Sequence, residues 1–130
     1  LDGPQVDINP NDPWKTGLIY DETREDKRWI NPRLKDWKIT QDDYKPKKVV
    51  HYFEGEGPEW NDLTIICKGN HIKTYLNNQL VSDYDGTGVL NDKPHKKHKD
   101  GQKGHLALQG HMGSENKIWF KDIEIRILIG

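Results

Sequence analysis

The sequence predicts an all-β protein, an antiparallel β-sandwich formed by a single domain. The main evidence is the alternation of apolar and polar residues between residues 63 and 84, because a period of two residues is the period of a β-strand. Gly69-Asn70 and Asn77-Asn78 interrupt this alternation where tight hairpin turns are expected. Three short strands that each have one apolar face need a second sheet to cover that face. A period of 3.6 residues is not maintained anywhere, so no helix of useful length is predicted.

Further segments outside this region also have a strand-like pattern. They are residues 4–8, 16–22, 49–53, 104–111 and 117–128. Together with the central region they predict at least seven antiparallel strands. Two long polar segments, residues 23–48 and 85–103, are predicted to be loops, and residues 1–130 are expected to form one domain.

The apolar members of these strands are expected to form the core between the two sheets. The residues predicted to be buried are Leu63, Ile65, Cys67, Ile72, Leu76, Leu106, Leu108, Ile123 and Ile125. Cys67 is the single cysteine of the chain, which excludes an internal disulfide. Its place on the apolar face predicts a buried, unreactive thiol.

Composition and charge exclude several classes of partner. Hydrophobic and charged residues each make up 32% of the chain, so the core is small for 130 residues and much of the chain is expected to be loop. A net charge of −1 provides no overall basic field, and nucleic acid is therefore not predicted as a partner. The apolar runs are all shorter than the roughly 18 residues that a membrane span requires.

A basic cluster at residues 93–103 contains two histidines, His95 and His98, and five lysines. Two histidines three residues apart can bind a metal ion. Because the surrounding lysines repel a cation, the sequence favours a solvated loop over a metal site here. No metal ligand is therefore assigned from the sequence. The sequence does not indicate a divalent metal cofactor, and whether the protein uses any cofactor stays undecided at this point.

Two of the polar faces carry groups that can transfer protons. In residues 4–8, Val6 and Ile8 point towards the core, which turns Gln5 and Asp7 to the opposite face. In residues 104–111 the same alternation leaves Gln109 and His111 on the polar face. A histidine can exchange a proton near neutral pH, and a carboxylate can orient it. The alternative is that these residues only form a solvent-exposed face.

Five ordered motifs resemble the 3-keto-disaccharide hydrolase domain family. They are GPQVDI, TGLIYDETR, GPEWNDLTIICKGNHIKTYLNNQLVSDY, GHLALQGH and IWFKDIEIRIL, and they span essentially the whole chain. The resemblance implies a concanavalin A-like jelly roll whose concave sheet binds carbohydrate. It also implies a bacterial protein, for which a periplasmic or secreted location is favoured over the cytoplasm.

The resemblance implies a specific chemistry for the polar faces. A ketone at C3 of a sugar acidifies the proton at C2, so that a base can remove it and the substituent at C1 can leave. An ordinary glycosidase instead uses two carboxylates about 5 to 10 Å apart. Asp7 and His111 are the candidate catalytic groups for the proton transfer, and Gln5 and Gln109 are candidate ligands of the sugar hydroxyls.

Other candidate carbohydrate ligands lie near the end of the second predicted strand. Tyr20, Glu22 and Arg24 can bind sugar hydroxyls, although a carboxylate and a guanidinium so close together can equally form a surface ion pair. Trp14 is a candidate because an exposed indole stacks on the face of a sugar ring, whereas a buried indole belongs to the core.

The resemblance also implies strands before Gln5 to which nothing in this sequence corresponds. The sandwich is therefore expected to be incomplete at its N-terminal side unless a further segment or a partner chain completes the sheet, and an uncovered edge is expected to favour self-association. Two functional classes stay open at this point. One is a glycoside hydrolase-like enzyme, which the motifs favour, and the other is a non-catalytic carbohydrate-binding or complex-assembly module.

Overall fold

The computed structural model of the chain is all-β and confirms the predicted fold class. It describes residues 2–11, 13–34, 38–40, 44–99, 104–111 and 117–129. Within these residues there are six strands and one short helix: β1 (Pro4–Val6), β2 (Ile19–Asp21), β3 (Arg28–Asn31), β4 (Leu63–Lys68), β5 (His71–Leu76), β6 (Gln79–Asp85) and α1 (Lys93–Lys97). The strands form two antiparallel sheets of three, in the orders β1-β2-β3 and β4-β5-β6.

The second sheet is the meander that the sequence predicts. Gly69 has φ +59° in the two-residue turn between β4 and β5, a left-handed conformation that glycine adopts without strain. Asn77 and Asn78 have φ +49° and +65° between β5 and β6, as a type I′ turn requires. Both predicted hairpin turns are therefore confirmed.

The first sheet is formed by β1, β2 and β3, with β2 in the centre. Gln5 pairs with Tyr20 and Val6 with Ile19, while Tyr20 pairs on its other side with Trp29. Strand β3 lies within the segment 23–48 that the sequence predicts to be a loop, and that prediction is wrong at this point. The reason is that β3 is only four residues long, so charged flanks and a following proline obscure its alternation.

A buried polar contact joins the two sheets at Gly17. The carbonyl oxygen of Gly17 accepts hydrogen bonds from Thr74 Oγ1 and from Ser82 Oγ, both at 2.7 Å. Thr74 Oγ1 in turn accepts a hydrogen bond from the backbone N–H of Ser82 at 3.0 Å. Gly17 has φ +86°, and a Cβ added to it would lie 2.7 Å from Cγ1 of Val81, so glycine is needed there for both conformation and space.

Three small apolar clusters form the core around this contact. The first contains Ile19, Ile30, Ile72 and Leu90, the second Trp14, Val49 and Leu76, and the third Leu18, Trp29 and Ile39. The first cluster combines residues of both sheets, so the sheets pack face to face. Val81 is partly buried against both the second and the third clusters.

Several predicted core residues are not buried. Of the nine, only Ile72 and Leu76 are buried; Leu63 is half-buried, and Ile65, Cys67, Leu106, Leu108, Ile123 and Ile125 are exposed. The predicted strands at 49–53, 104–111 and 117–128 are also absent from the described residues, which hold six strands rather than seven. Period-two alternation marks a segment that suits a sheet, but only a partner strand and a covering layer bury its apolar face.

The helix α1 lies in the segment 85–103 that the sequence predicts to be a loop. Asp92 is its N-cap and accepts a hydrogen bond from the backbone N–H of His95 at 3.2 Å, and Pro94 stands in the first turn. His95 is fully buried, so its assignment to a solvated loop is wrong. None of the helical residues that the structure describes forms a helix long and apolar enough to cross a membrane.

Substitution of Gly17 by alanine is expected to destabilise the fold by about 2 to 4 kcal/mol, because the left-handed φ and the clash with Val81 add together. Gly88→Ala is the matched control, since Gly88 has φ +89° with nothing within 4 Å of an added Cβ. It is expected to cost only about 1 kcal/mol. Urea unfolding followed by circular dichroism measures both losses, and equal losses would contradict the assigned clash.

Candidate functional site

The first polar site lies around Asp7, immediately after β1. The Nε2 of Gln5 donates a hydrogen bond to Oδ1 of Asp7 at 3.3 Å. The backbone of Asp7 is fixed on both sides, because its N–H donates to the carbonyl of Leu18 at 3.0 Å and its carbonyl accepts from the N–H of Gly17 at 2.9 Å. The structure thus brings together Gln5 and Asp7, as the sequence predicts.

The surroundings of Asp7 change the acidity of its carboxyl group. Burial is the largest influence and raises the pKa of Asp7 above its ordinary value. The positive charge of Lys15, the hydrogen bond from Gln5 and the imidazole of His111 each lower the pKa, but together they do not offset the burial. His111 is therefore close enough to Asp7 to interact with it electrostatically. A carboxylate with a raised pKa is a stronger base than one in water.

Tyr20 stands opposite Gln5 in the neighbouring strand. Paired residues of antiparallel strands point to the same face, so Tyr20 and Gln5 share one face of the first sheet. The ring of Tyr20 packs edge-on against Trp29 with 5.2 Å between centroids. Burial, together with the charges of Glu22 and Asp21, raises the pKa of the Tyr20 phenol. The hydroxyl of Tyr20 consequently stays protonated at neutral pH and can donate a hydrogen bond.

Other predicted site residues lie apart from this group or differ from expectation. Trp14 is only 3% exposed and its Nε1 donates to the carbonyl of Thr16 at 2.9 Å, so its indole belongs to the core and does not offer an open face to a sugar. Arg24 forms a bidentate ion pair with Asp2, with Nη2 2.8 Å from Oδ2. Glu22 lies 3.5 Å from Lys27 Nζ. For these charged residues the structure shows surface ion pairs.

Gln109 and His111 lie in residues 104–111, which are exposed and are not part of a strand. The expectation that they continue a polar sheet face beside Gln5 and Asp7 is therefore not met. The weak electrostatic effect of His111 on Asp7 depends on the tertiary arrangement of this segment. The polar face was predicted from the alternation of Leu106 and Leu108 with polar residues. That alternation does not by itself bring His111 and Asp7 together.

A second polar site surrounds His95 and was not predicted from the sequence. Nε2 of His95 lies 2.8 Å from Oδ2 of Asp21, and Nδ1 lies 2.5 Å from Oδ1 of Asp92. His95 and Asp21 are both fully buried, and the other oxygen of Asp21 accepts from the N–H of Thr23 at 3.0 Å. Burial opposes a charge on His95, but the hydrogen bonds to Asp92 and Asp21 outweigh it and raise the pKa of the imidazole.

The same site contains a set of groups suited to a metal ion. Asp26, Asp92 and His95 each offer one ligand atom, and these atoms lie within 4.8 Å of one another. Asp92 and His95 are three residues apart across the start of α1, and this spacing is the signal in the sequence that could have suggested the pair. Asp21 and Asp26 join them only through the fold, because more than 60 residues separate them from α1 in the sequence.

The sequence of the chain is similar to one family of protein domains. A family model described as "3-keto-alpha-glucoside-1,2-lyase-like domain" matches residues 1–126. This match confirms the resemblance that the ordered motifs indicate. No curated protein and no solved structure matches the chain significantly.

Asp7→Asn is expected to leave the protein as stable as the wild type at pH 7, or more stable by less than about 1 kcal/mol. Because the pKa of Asp7 is raised in the folded state, wild-type stability falls as pH rises from the ordinary aspartate value through the raised value. Asparagine does not ionise, so the variant does not lose stability in this way as the pH rises. Urea unfolding between pH 3 and pH 7 measures the difference.

Asp83→Asn is the control for this prediction, because it is expected to change the stability at neutral pH in the opposite direction. The hydrogen bond with His71 lowers the pKa of Asp83, so ionised Asp83 adds stability above its ordinary pKa, and asparagine removes that contribution at neutral pH. A clear loss of stability in Asp7→Asn at pH 7 would show that burial does not dominate the energetics of Asp7.

Proposed function

Because the chain belongs to the 3-keto-alpha-glucoside-1,2-lyase-like domain family, we propose that it cleaves the glycosidic bond of a 3-keto-glycoside by removing the proton at C2. The ketone at C3 stabilises the resulting enolate. The electron pair of the former C2–H bond then forms the C1=C2 double bond, and the bond between C1 and the glycosidic oxygen breaks. That oxygen leaves with the bonding electrons and takes up a proton. Addition of water across the double bond gives the hydrolysis product.

The observation that carries this proposal is the half-buried carboxyl group of Asp7 with its raised pKa. We assign Asp7 as the base that removes the C2 proton, because a desolvated carboxylate held in one orientation by Gln5 is both stronger and better placed than an exposed one. His111 is assigned as the group that transfers a proton to the leaving oxygen. Its interaction with Asp7 supports this role, since both groups must reach the same sugar ring.

We propose that the face of the first sheet bearing Gln5 and Tyr20 binds the sugar hydroxyls. The two side chains share this face across β1 and β2, and the Tyr20 phenol is available as a donor at neutral pH. Gln109 is two residues from His111 and is proposed as a further hydroxyl ligand. The pattern differs from that of an ordinary glycosidase, in which a second carboxylate faces the first across the bond. The groups that influence Asp7 here are Lys15, Gln5 and His111, together with the backbone of Ile8.

Asp7→Asn and His111→Ala are each expected to reduce turnover of a 3-keto-glucoside by at least about 100-fold, because each removes a group that transfers a proton in the reaction. The release of the aglycone from a chromogenic 3-keto-glucoside measures the rate. The matched controls are Asp83→Asn and His71→Ala, which remove an exposed aspartate and histidine pair from the second sheet.

Both control variants should retain wild-type turnover. In the wild type, kcat/KM should rise with pH through a pKa above the ordinary aspartate value, and this rise should disappear in Asp7→Asn. Wild-type turnover in Asp7→Asn would refute the assigned base. Absence of turnover in the wild-type chain itself would favour the second candidate function.

The second candidate is a non-catalytic module of a larger assembly, and the exposed C-terminal segment favours it. Residues 117–129 include eight large apolar side chains that are at least 41% exposed: Ile118, Trp119, Phe120, Ile123, Ile125, Ile127, Leu128 and Ile129. An apolar surface of this kind on a soluble chain typically marks an interaction site. The simplest occupant is the same segment of a second copy, because its alternating pattern suits pairing between strands.

The isolated chain is accordingly expected to self-associate in a concentration-dependent manner, and sedimentation velocity measures the assembly. Double substitution of Ile125 and Ile127 by lysine should shift the chain towards monomer, because charges on a strand edge oppose pairing. Thr64→Lys and Lys68→Glu alter exposed polar positions of the meander and should leave the association unchanged. A wild-type chain that stays monomeric at high concentration would contradict this second candidate.

A further inference from the structure

We infer that Asp26, Asp92 and His95 form a binding site for a divalent transition-metal ion, with Asp21 as the residue that orients the histidine. Asp26 follows β2 in the chain, Asp92 is the N-cap of α1 and His95 lies within α1; none of these residues belongs to the group around Asp7. The inference does not rest on the proposed reaction.

The geometry of the three ligand atoms suits one ion. Zinc binds histidine nitrogen and carboxylate oxygen at about 2.0 to 2.2 Å, so two ligands of one tetrahedral ion lie roughly 3.4 Å apart. The ligand atoms of Asp26, Asp92 and His95 already lie within 4.8 Å of one another. Nδ1 of His95 and Oδ1 of Asp92 lie 2.5 Å apart, which is a hydrogen-bond distance, and an ion bound by both atoms needs a separation about 1 Å larger. A rotation of the Asp92 side chain, which is only half-buried, supplies that change.

The orientation of His95 is the second feature that indicates a metal site. A histidine that binds a metal through one ring nitrogen commonly donates the N–H of the other to a carboxylate, which fixes the ring and increases its basicity as a ligand. His95 has this arrangement, because Nε2 lies 2.8 Å from Oδ2 of Asp21 and both residues are fully buried. The N–H of Thr23 holds the other oxygen of Asp21 at 3.0 Å. Nδ1 is thereby directed towards Asp92 and Asp26.

The charges around the site also favour a cation. Three carboxylates, from Asp21, Asp26 and Asp92, surround a single imidazole, and Arg28 is the further positive charge that acts on Asp92. A divalent ion would compensate the remaining negative charge. The lysines of α1 do not place positive charge inside the site, because Lys93, Lys96 and Lys97 are exposed. The ammonium group of Lys97 lies 3.4 Å from Glu25 on the surface.

If these residues had only a structural role, the side chain of Asp26 would not be needed. An imidazolium held between Asp21 and Asp92 would anchor α1 to β2 without any ion, and Asp26 would then be dispensable. The backbone N–H of Asp26 donates to the carbonyl of Thr23 at 3.0 Å, which places the residue at the site independently of its side chain. Asp26→Asn therefore separates the two roles, because it removes a metal ligand and preserves both the shape and the backbone contact.

The experiment is a zinc titration of the wild-type chain by isothermal calorimetry after treatment with EDTA. We expect one equivalent of zinc to bind with an affinity that Asp26→Asn reduces at least tenfold. Glu25→Gln is the matched control, since it neutralises the adjacent carboxylate, which pairs with Lys97, and it should leave the affinity unchanged. Circular dichroism verifies that each variant is folded. A wild-type chain that binds no zinc, or a folded Asp26→Asn that binds zinc as tightly as the wild type, overturns the inference.

The role assigned to Asp21 has its own test. Asp21→Asn retains a group that can contact Nε2 of His95 but removes the charge, and a 10- to 100-fold loss of zinc affinity is expected from the loss of an orienting carboxylate. Cobalt in place of zinc gives an independent readout, because its visible absorption bands report the number and geometry of its ligands. These bands should change in Asp26→Asn and not in Glu25→Gln. An unchanged zinc affinity in folded Asp21→Asn refutes the positioning role of Asp21.

Discussion

The carbonyl oxygen of Gly17 is the point on which the arrangement of the two sheets depends. It accepts hydrogen bonds from the hydroxyls of Thr74 and Ser82, and both of these residues are buried. A buried carbonyl without partners would cost free energy, so the hydroxyls of the second sheet must face this loop of the first. Glycine is required because the chain turns with positive φ directly against Val81. Gly17 thus links the two sheets through its carbonyl oxygen.

The same loop links the fold to the candidate catalytic carboxylate. The N–H of Gly17 and the carbonyl of Leu18 hold the backbone of Asp7, so the contact between the sheets also determines where the Asp7 carboxyl lies. This coupling explains how a small core can position a reactive group. Partial burial of the Asp7 carboxylate costs free energy, which the packing of the neighbouring residues offsets. The same burial raises the pKa of Asp7 and makes its carboxylate a stronger base.

Polar side chains hold other segments in place in this chain, of which 32% is hydrophobic. Asn61 bonds both the N–H and the carbonyl of Tyr52, and Asn77 bonds the carbonyl of Val50, so residues 50–52 are fixed to the second sheet without being a strand. His95 joins α1 to β2 in the same way through Asp21. Hydrogen bonds that satisfy both partners take the place of additional hydrophobic contacts here. The two candidate sites lie at such polar junctions.

The sequence by itself determined the local structure, namely the meander between Leu63 and Asp85 with both of its turns, because alternation and turn chemistry are properties of neighbouring residues. It also indicated Gln5 beside Asp7, which one short strand places together. The burial of Trp14 and the exposure of Ile125 were decided by the tertiary structure, because burial depends on what covers a face. The approach of His111 to Asp7, and of His95 to Asp21 across 74 residues of chain, was likewise set by the fold, since no local pattern encodes contacts between distant segments.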